Sequence, residues 1–246
     1  MQDDDKRPSD FLFDLSDKIS NYWYHYKIHT LAGIGVIIAL IFLITQMWSV
    51  KKNDTKISYI GEYLTISISD SKELDTVFEQ LAISDYNGDG NVTVGFVAFQ
   101  YMTAREIEDT RADGKAVDIN LLMTQSDSIT MELAMGNSVI YFMSPGAYGD
   151  FKNSGGSANI FMPLDESYGA EIPKAAVDEY AVRLGDLEIY SANDVINLIF
   201  PEDTLIAVRD RQISDSGGEE YESRYKCGLT LFKNIIRYTV PESEAE

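Results

Sequence analysis

Oxygen-bearing side chains alternate along one short stretch of the chain. Asp85, Asn87 and Asp89 are spaced two residues apart, and Gly90 follows directly. These residues match positions one, three, five and six of a calcium loop. In such a loop alternate side chains point inward, and the glycine lets the chain turn sharply round a hard cation. The spacing therefore predicts a calcium site.

The second half of this loop is less regular. Asn91 stands where a backbone carbonyl binds the ion, and Thr93 stands where a ligand acts through water. Phe96 occupies the twelfth position, where a bidentate Glu is expected, so a bound ion needs a carboxylate from elsewhere and binds weakly. A tight turn is the alternative, because Asn-Gly and Asp-Gly favour turns for backbone reasons alone. The predicted metal ligands are Asp85, Asn87, Asp89, Asn91 and Thr93, with calcium as the only cofactor.

A second acidic group, Glu106, Glu108 and Asp109, lies in the polar stretch 103–114. These carboxylates could complete the calcium site, or act as a catalytic acid and base in a hydrolase directed at cell-wall polymers. A solvated surface cluster is the alternative. The chain contains no Gly-x-Ser-x-Gly sequence, Walker loop or zinc-ligand spacing. We therefore expect no catalytic or cofactor-binding residues and no enzyme activity.

Fifteen tyrosines are spread through the chain. Six of them lie in or beside predicted strands and loops: Tyr101, Tyr141, Tyr148, Tyr168, Tyr180 and Tyr190. Tyrosine-lined surfaces suit recognition of a peptide, a sugar or a protein. Tyrosine is also a common half-buried residue of sheets, so both interpretations stay open.

Charge and cysteine content exclude several classes of protein. The chain has 20 Lys and Arg against 40 Asp and Glu, a net charge of −20. Nucleic-acid binding needs a basic face, so we expect no nucleic-acid partner. Cys227 is the only cysteine, which rules out an intrachain disulfide and a multi-cysteine metal site. We expect it to be a small buried residue on a helix.

Residues 28–50 contain no Asp, Glu, Lys or Arg. At about 1.5 Å per residue, a helix of this length crosses a hydrocarbon core of roughly 30 Å. Aromatic residues flank both ends, as in the aromatic belts of membrane helices: Trp23, Tyr24, Tyr26 and Trp48. A cleaved signal peptide would end in small residues, whereas this segment ends in Gln46-Met47-Trp48. The segment predicts a single membrane-spanning helix, with a signal peptide and a buried core helix as alternatives.

The remaining elements follow from periodicity. Apolar residues at helical spacing in 10–27 predict either an amphipathic helix on the membrane face or a plain extension of the spanning helix. Beyond residue 50 we predict strands at 57–68, 91–99, 139–143, 187–190 and 205–208. A helix opens with a capping box of Asp70 and Glu73, a second ends at Gly136, and a third carries Tyr225 and Phe232.

The strand at 91–99 is apolar on both faces, which predicts cover on two sides, and 153–159 has the composition of a mobile loop. Strands alternating with helices predict an α/β fold: an N-terminal transmembrane helix followed by a layered domain with a parallel or mixed sheet and covering helices.

This arrangement resembles a group of poorly characterised membrane-anchored proteins of Gram-positive, clostridia-like bacteria. The resemblance rests on the anchor opening Tyr-Trp-Tyr-His-Tyr-Lys at 22–27, the passage 85–94, the helix closed by Gly136 and the strand 139–143, and it covers about residues 21–144. The outer domains of that group resemble one lobe of extracellular solute-binding proteins of the type II periplasmic fold. The resemblance implies display outside the cell and an extracytoplasmic ligand or membrane-protein partner.

Charges beside the apolar segment bear on its orientation. Lys18 and Lys27 precede it, and Lys51, Lys52 and Lys56 follow it. Counted alone, they slightly favour a cytoplasmic carboxyl side, but long domains follow the positive-inside rule poorly. Because of the resemblance we expect the opposite orientation. The predicted domains are a cytoplasmic segment 1–27, the transmembrane helix 28–50, an extracytoplasmic domain 51–240 and an acidic tail 241–246.

Overall fold

The computed structural model describes residues 8–48, 53–83, 85–152, 160–169, 171–211 and 218–240. The chain divides into two compact units, Met1–Lys51 and Lys52–Glu246. Within the first unit, helix α1 (Pro8–Trp48) continues without a break through the apolar segment. Of the two alternatives for 10–27, this is the plain helical extension. The predicted loop at 153–159 and the acidic tail at 241–246 lie outside the described residues.

A five-stranded sheet organises the described part of the second unit. Its strands are β1 (Thr55–Gly61), β2 (Val94–Gln100), β3 (Ile140–Met143), β4 (Ala181–Arg183) and β5 (Leu205–Val208), in the order β2-β1-β3-β5-β4. Strand β1 is parallel to β2 and to β3, whereas β5 is antiparallel to β3 and to β4. The predicted α/β class with a mixed sheet is confirmed.

Helices cover both faces of the sheet. They are α2 (Ile68–Ala82), α3 (Ala104–Ala112), α4 (Ile119–Met135), α5 (Pro145–Phe151), α6 (Leu164–Ser167), α7 (Glu188–Ala192), α8 (Asp194–Ile199) and α9 (Glu219–Ile236). Side chains alternate along β1, so Ile57 and Tyr59 enter one apolar core and Ile60 enters another. Helices α2, α8 and α9 supply the first core, and α4 and α5 supply the second.

The predicted strand 57–68 is too long, because β1 loses its partners where β2 and β3 end. The helix after it also begins earlier than predicted. The Ser67 hydroxyl accepts the Asp70 N–H (3.2 Å), and the Asp70 carboxylate accepts the Ser67 N–H (3.2 Å). This capping box replaces the predicted pair of Asp70 and Glu73. Local capping therefore outweighs the apolar alternation, and Ile68 is left 81% exposed.

Strand β2 lies at the edge of the sheet, and β1 is its neighbour. The prediction that both faces of β2 are covered is confirmed in part, since Phe96 packs against the first core and Phe99 against the second, but residues 95–100 are only half-buried or exposed. An edge strand lacks the second neighbour and the full helix cover that bury a central strand. The polar stretch 103–114 is also largely helical, because Thr103 and Glu106 cap the first turn of α3 reciprocally.

The second half of the unit is less regular than predicted. The expected strand 187–190 is wrong, because those residues enter helix α7. Leu187 and Ile189 are the buried residues of this segment, a spacing that also fits a strand, so periodicity over four residues cannot separate the two structures. Strand β5 and helix α9 are confirmed, and Cys227 is fully buried on α9 as expected.

Helix α4 ends at Gly136, which has the predicted left-handed conformation with φ 66°. The buried guanidinium of Arg209 donates to the carbonyl oxygens of Leu133 and Ala134 at this end. A Cβ at position 136 would lie 2.8 Å from Arg209 Nε. The glycine therefore permits both the turn and the approach of a cation that favours the negative end of the helix.

Candidate functional site

The apolar part of α1 has the properties of a membrane span. The window Tyr22–Thr45 has a hydropathy of 2.4, and none of it is buried against protein. The hydroxyl of Thr30 donates to the Tyr26 carbonyl (3.0 Å), and that of Thr45 donates to the Phe42 carbonyl (2.9 Å). These two threonine hydroxyls are thus satisfied within the helix, as a lipid environment requires. A membrane anchor and a signal sequence share these properties.

The loop predicted to bind calcium precedes β2, and its side chains close on its own backbone. The Asp85 carboxylate accepts the N–H groups of Gly88 (2.6 Å) and Gly90 (2.7 Å). The Asn87 side-chain oxygen accepts the Asp89 N–H (2.9 Å), and the Asp89 carboxylate accepts the Asn91 N–H (2.9 Å). Four of the five predicted ligands therefore lie together in one turn.

Asp54, which the sequence did not single out, holds both ends of this loop. Its carboxylate accepts the N–H groups of Tyr86 (2.7 Å), Asn87 (2.8 Å) and Thr93 (2.8 Å). Its own N–H donates to the Thr93 carbonyl (2.9 Å), and the residue is only 1% exposed. A carboxylate accepting three backbone donors organises a loop that lies more than thirty residues away along the chain. No local spacing could have indicated this partnership.

The twelfth position of the loop carries no carboxylate. Phe96, at the twelfth position, contacts Phe200 with ring centroids 5.9 Å apart. The suggestion that Glu106, Glu108 or Asp109 supplies the missing ligand is wrong. The loop precedes β2 and those residues follow it, and seven strand residues span about 20 Å. Within the described ranges, no three His, Cys, Asp or Glu side chains converge on a common point.

The acidic group on α3 does not form a catalytic pair in the described residues. Glu106 accepts the Thr103 N–H (2.6 Å) as a helix cap. Asp109 forms an exposed ion pair with Arg105 (3.7 Å), and Glu108 is exposed. The three carboxylates therefore cap a helix, form a surface ion pair and face solvent, respectively, as the environments of Glu106, Asp109 and Glu108 show.

The six tyrosines singled out in the sequence are buried or half-buried. Two of the hydroxyl groups donate hydrogen bonds to carboxylates: Tyr101 to Asp150 (2.7 Å) and Tyr148 to Asp178 (2.8 Å). Burial opposes ionisation of Asp178, but hydrogen bonds from Lys152, the Tyr180 N–H and Tyr148 hold its pKa below the usual range. This favours the interpretation of these tyrosines as packing residues.

A cavity of about 250 Å³ opens beside the loop. Its lining residues are Asn53, Asp54, Tyr86, Asn87, Glu219, Ser223 and Arg224. The Asp54 oxygens that face this region are already engaged by backbone N–H groups. The cavity is therefore a small recess beside the turn, and no further acceptor atom of Asp54 is free in it.

No protein-family model, curated protein or solved structure matches the chain. The resemblance to membrane-anchored proteins with a solute-binding-like outer lobe thus stays a prediction.

Proposed function

We propose that the chain is a single-pass membrane protein that displays a non-catalytic α/β domain for binding or scaffolding outside the cytoplasm. The proposal rests on the exposure of the apolar window Tyr22–Thr45, none of which is buried against protein. A helix that is apolar on all sides needs a cover of protein or lipid. The second unit has its own apolar cores, so it does not need this helix to complete them.

An anchor accounts for the end of the apolar segment better than a signal sequence does. Signal-peptide cleavage requires small residues at the carboxyl end of the apolar region. Gln46, Met47 and Trp48 are large, and helix α1 continues to Trp48. We therefore favour retention of the helix in the membrane.

Protease treatment of intact cells tests both the anchorage and the orientation. With a tag at the carboxyl end, external protease should remove the domain that follows Lys51, while a cytoplasmic marker protein survives. Permeabilised cells provide the control for protease activity. Complete protection of the tag in intact cells, with digestion after permeabilisation, would place the domain in the cytoplasm. Recovery of the chain in the soluble fraction would contradict anchorage itself.

The domain is proposed to bind an extracytoplasmic solute or a membrane-protein partner, in line with the solute-binding-like layout. Support comes from the sheet topology, since adjacent parallel strands such as β1 and β3 place loops together at one edge. The net charge of −20 disfavours polyanionic partners.

Calcium binding by the Asp85 loop is the finer part of the proposal. Gly90 (φ 88°) donates its N–H to Asp85, which folds the first carboxylate over the turn as a calcium loop requires. Because Phe96 replaces the bidentate acid, we propose an affinity in the high-micromolar to millimolar range, typical of extracellular modules. Such a site would be useful outside the cell.

The hydrolase alternative has weaker support. It requires two carboxylates flanking a scissile bond at about 5–10 Å, one of them with a raised pKa. Glu106 caps α3, and Asp109 pairs with Arg105 on the surface. If this alternative holds, replacing Glu106, Glu108 and Asp109 together abolishes turnover of a wall glycan or peptide by the purified protein.

A further inference from the structure

Helix α1 is about twice as long as the hydrocarbon core of a membrane is thick. Its 41 residues, Pro8–Trp48, extend about 61 Å at a rise of about 1.5 Å per residue. The apolar residues 28–48 account for roughly 30 Å, the thickness of the core, and each headgroup layer adds about 6 Å. When 28–48 span the membrane, residues 8–23 therefore project beyond it as a helix about 24 Å long.

The projecting part continues along the axis of the span. Sharp kinks in helices occur at Pro, at Gly/Ser pairs or at π-bulges, and residues 9–32 contain neither Pro nor Gly. A helix lying on the membrane surface would have to bend by about a right angle at the headgroups. Helix α1 is instead continuous from Pro8 to Trp48. The projecting part therefore leaves the bilayer and enters water.

One face of the projecting part carries apolar residues at heptad spacing. Positions 12, 15, 19, 22 and 26 follow one another in steps of three and four, as the a and d positions of a coiled coil do. Such steps place residues on one side of a helix. We call this face the seam, and its residues are Leu12, Leu15, Ile19, Tyr22 and Tyr26.

The two tyrosines of the seam show this shared face directly. The rings of Tyr22 and Tyr26 stack with their centroids 5.3 Å apart, and the Thr30 hydroxyl donates to the Tyr22 hydroxyl (3.2 Å). Tyr22 is nevertheless 53% exposed and Tyr26 is 52% exposed. The seam thus presents an open aromatic surface that a second helix can cover.

The charges of the projecting part favour contact along the seam. Its three acidic residues, Asp10, Asp14 and Asp17, occupy f, c and f positions, on the side away from a partner helix. Lys18 is at a g position and Trp23 at an e position, and both flank the seam. In a parallel pair, position 18 of one helix lies beside Trp23 of the other, where a lysine ammonium and an indole form a favourable cation–π pair.

The membrane aligns two copies of this chain. Their amino ends lie on one side and their apolar segments at one depth, so the two α1 helices are parallel and in register. Each seam position then meets the same position of the second copy. The net charge of −20 makes copies repel one another, which leaves an uncharged face as the favourable place for contact. A helix this short in water also gains most of its stability from packing of its apolar face.

We propose that the chain forms a parallel dimer in which the seams of two α1 helices pack as a short coiled coil outside the bilayer. Leu15 at a d position and Ile19 at the following a position are the combination that favours two strands. The inference goes beyond the proposed function but rests on its membrane anchorage, because the anchor aligns the two helices.

Cysteine cross-linking in isolated membranes tests the dimer, with the full chain oxidised by copper phenanthroline. Leu15→Cys and Ile19→Cys lie on the seam and should give a disulfide-linked dimer on a non-reducing gel. Asp17→Cys and Ser20→Cys lie at f and b positions of the same two turns and should give none, because a disulfide needs Cα atoms within about 7 Å. The parent chain, whose Cys227 is fully buried, is the control. Equal cross-linking at all four positions, or none at 15 and 19, would overturn the inference.

Sedimentation equilibrium in density-matched detergent measures the mass of the assembly. The parent chain should sediment as a dimer in equilibrium with its monomer. Ile19→Asp places two like charges together in the seam and should weaken the dimer by about 10-fold or more. Ser20→Asp adds the same charge one residue away and off the seam, and it should change the dimer Kd by less than about 2-fold. A monomeric or trimeric parent chain, or equal weakening by the two variants, would overturn the inference.

The outcomes separate this inference from the proposed function. If the chain stays in the membrane fraction but sediments as a monomer and does not cross-link, only the dimer fails. If the chain is recovered in the soluble fraction, the proposed anchorage fails, whatever the cross-linking shows.

Discussion

Two acidic regions of the second unit contrast sharply. In the loop before β2, the carboxylate of Asp54 and the side chains of Asp85, Asn87 and Asp89 accept backbone N–H groups of the same turn. At the carboxyl edge of β1, the buried hydroxyls of Tyr59 and Thr204 have no hydrogen-bond acceptor among the described residues, while the nearby carboxylate of Glu62 is exposed. Carboxylates therefore satisfy backbone donors in the first region, whereas in the second the carboxylate of Glu62 faces solvent.

The contrast shows why a motif alone is a poor guide to a site. A carboxylate that accepts backbone donors stabilises a turn whether or not an ion binds. A buried hydroxyl without a partner costs stability unless something outside the chain satisfies it. In the loop before β2, the carboxylates and the backbone N–H groups satisfy one another. At the edge of β1, buried hydroxyl groups still have a proton without an acceptor among the described residues. Four changes test this difference.

The largest effect is expected from Asp54→Ala. Removal of this buried carboxylate leaves three backbone donors unpaired, and we expect unfolding in urea to become easier by about 3–5 kcal/mol. Asp89→Ala, which removes one bond in an exposed part of the same turn, should change stability by about 0.5 kcal/mol or less. Equal effects of the two changes would mean that Asp54 does not organise the loop.

Gly61→Ala tests the edge. The added methyl group would meet the Tyr59 hydroxyl at 2.6 Å, so we expect a loss of about 2 kcal/mol. The loss should shrink when Tyr59→Phe is added, because the closest atom is then gone. Gly149→Ala, where nothing lies within 4 Å of the new Cβ, is the matched control and should be neutral or slightly stabilising. Additive effects of Gly61→Ala and Tyr59→Phe would argue against this packing.

Added calcium tests whether the loop from Asp85 to Thr93 is a binding site or only a turn. Binding to the folded protein alone adds about 1.4 kcal/mol of stability at ten times Kd, so the melting temperature should rise with calcium. Asp85→Ala and Asp89→Ala should each remove that rise, whereas Asp127→Asn should keep it. A melting temperature indifferent to ten millimolar calcium would leave the loop as a turn.

The smallest effect concerns alkaline pH. The pKa of the Tyr59 phenol is raised in the folded state, chiefly by burial, so above the ordinary pKa of about 10 the unfolded chain ionises first. Stability should therefore fall as the pH rises through 10. Tyr59→Phe should remove the contribution of one tyrosine to this pH dependence of the unfolding free energy. The other buried tyrosines with raised pKa values, Tyr141, Tyr148 and Tyr225, should still contribute. Chemical denaturation at pH 8 and pH 10.5 measures it, and identical slopes would show that Tyr59 ionises freely.

Much of the fold could be predicted from local pattern. Long periodic segments such as α4 and α9, the apolar strands β3 and β5, and the helix-ending Gly136 carry enough residues in register to define their structure. The predicted elements that the structure contradicts are short or have an ambiguous apolar pattern. The run at 187–190 is helical, and the strand before α2 ends seven residues earlier than predicted, at Gly61, because its partners β2 and β3 end there.

The sequence by itself determined that the chain has an uncharged apolar segment long enough to cross a membrane, an acidic α/β domain and a turn built from Asp, Asn and Gly. Each of these depends on residues that are close along the chain. Only the tertiary structure decided that Asp54 closes that turn and that Tyr59 from β1 and Thr204, just before β5, lie at one edge of the sheet. Strand order and register brought these residues together, because pairing between distant strands is set by packing of the whole core, which local spacing does not encode.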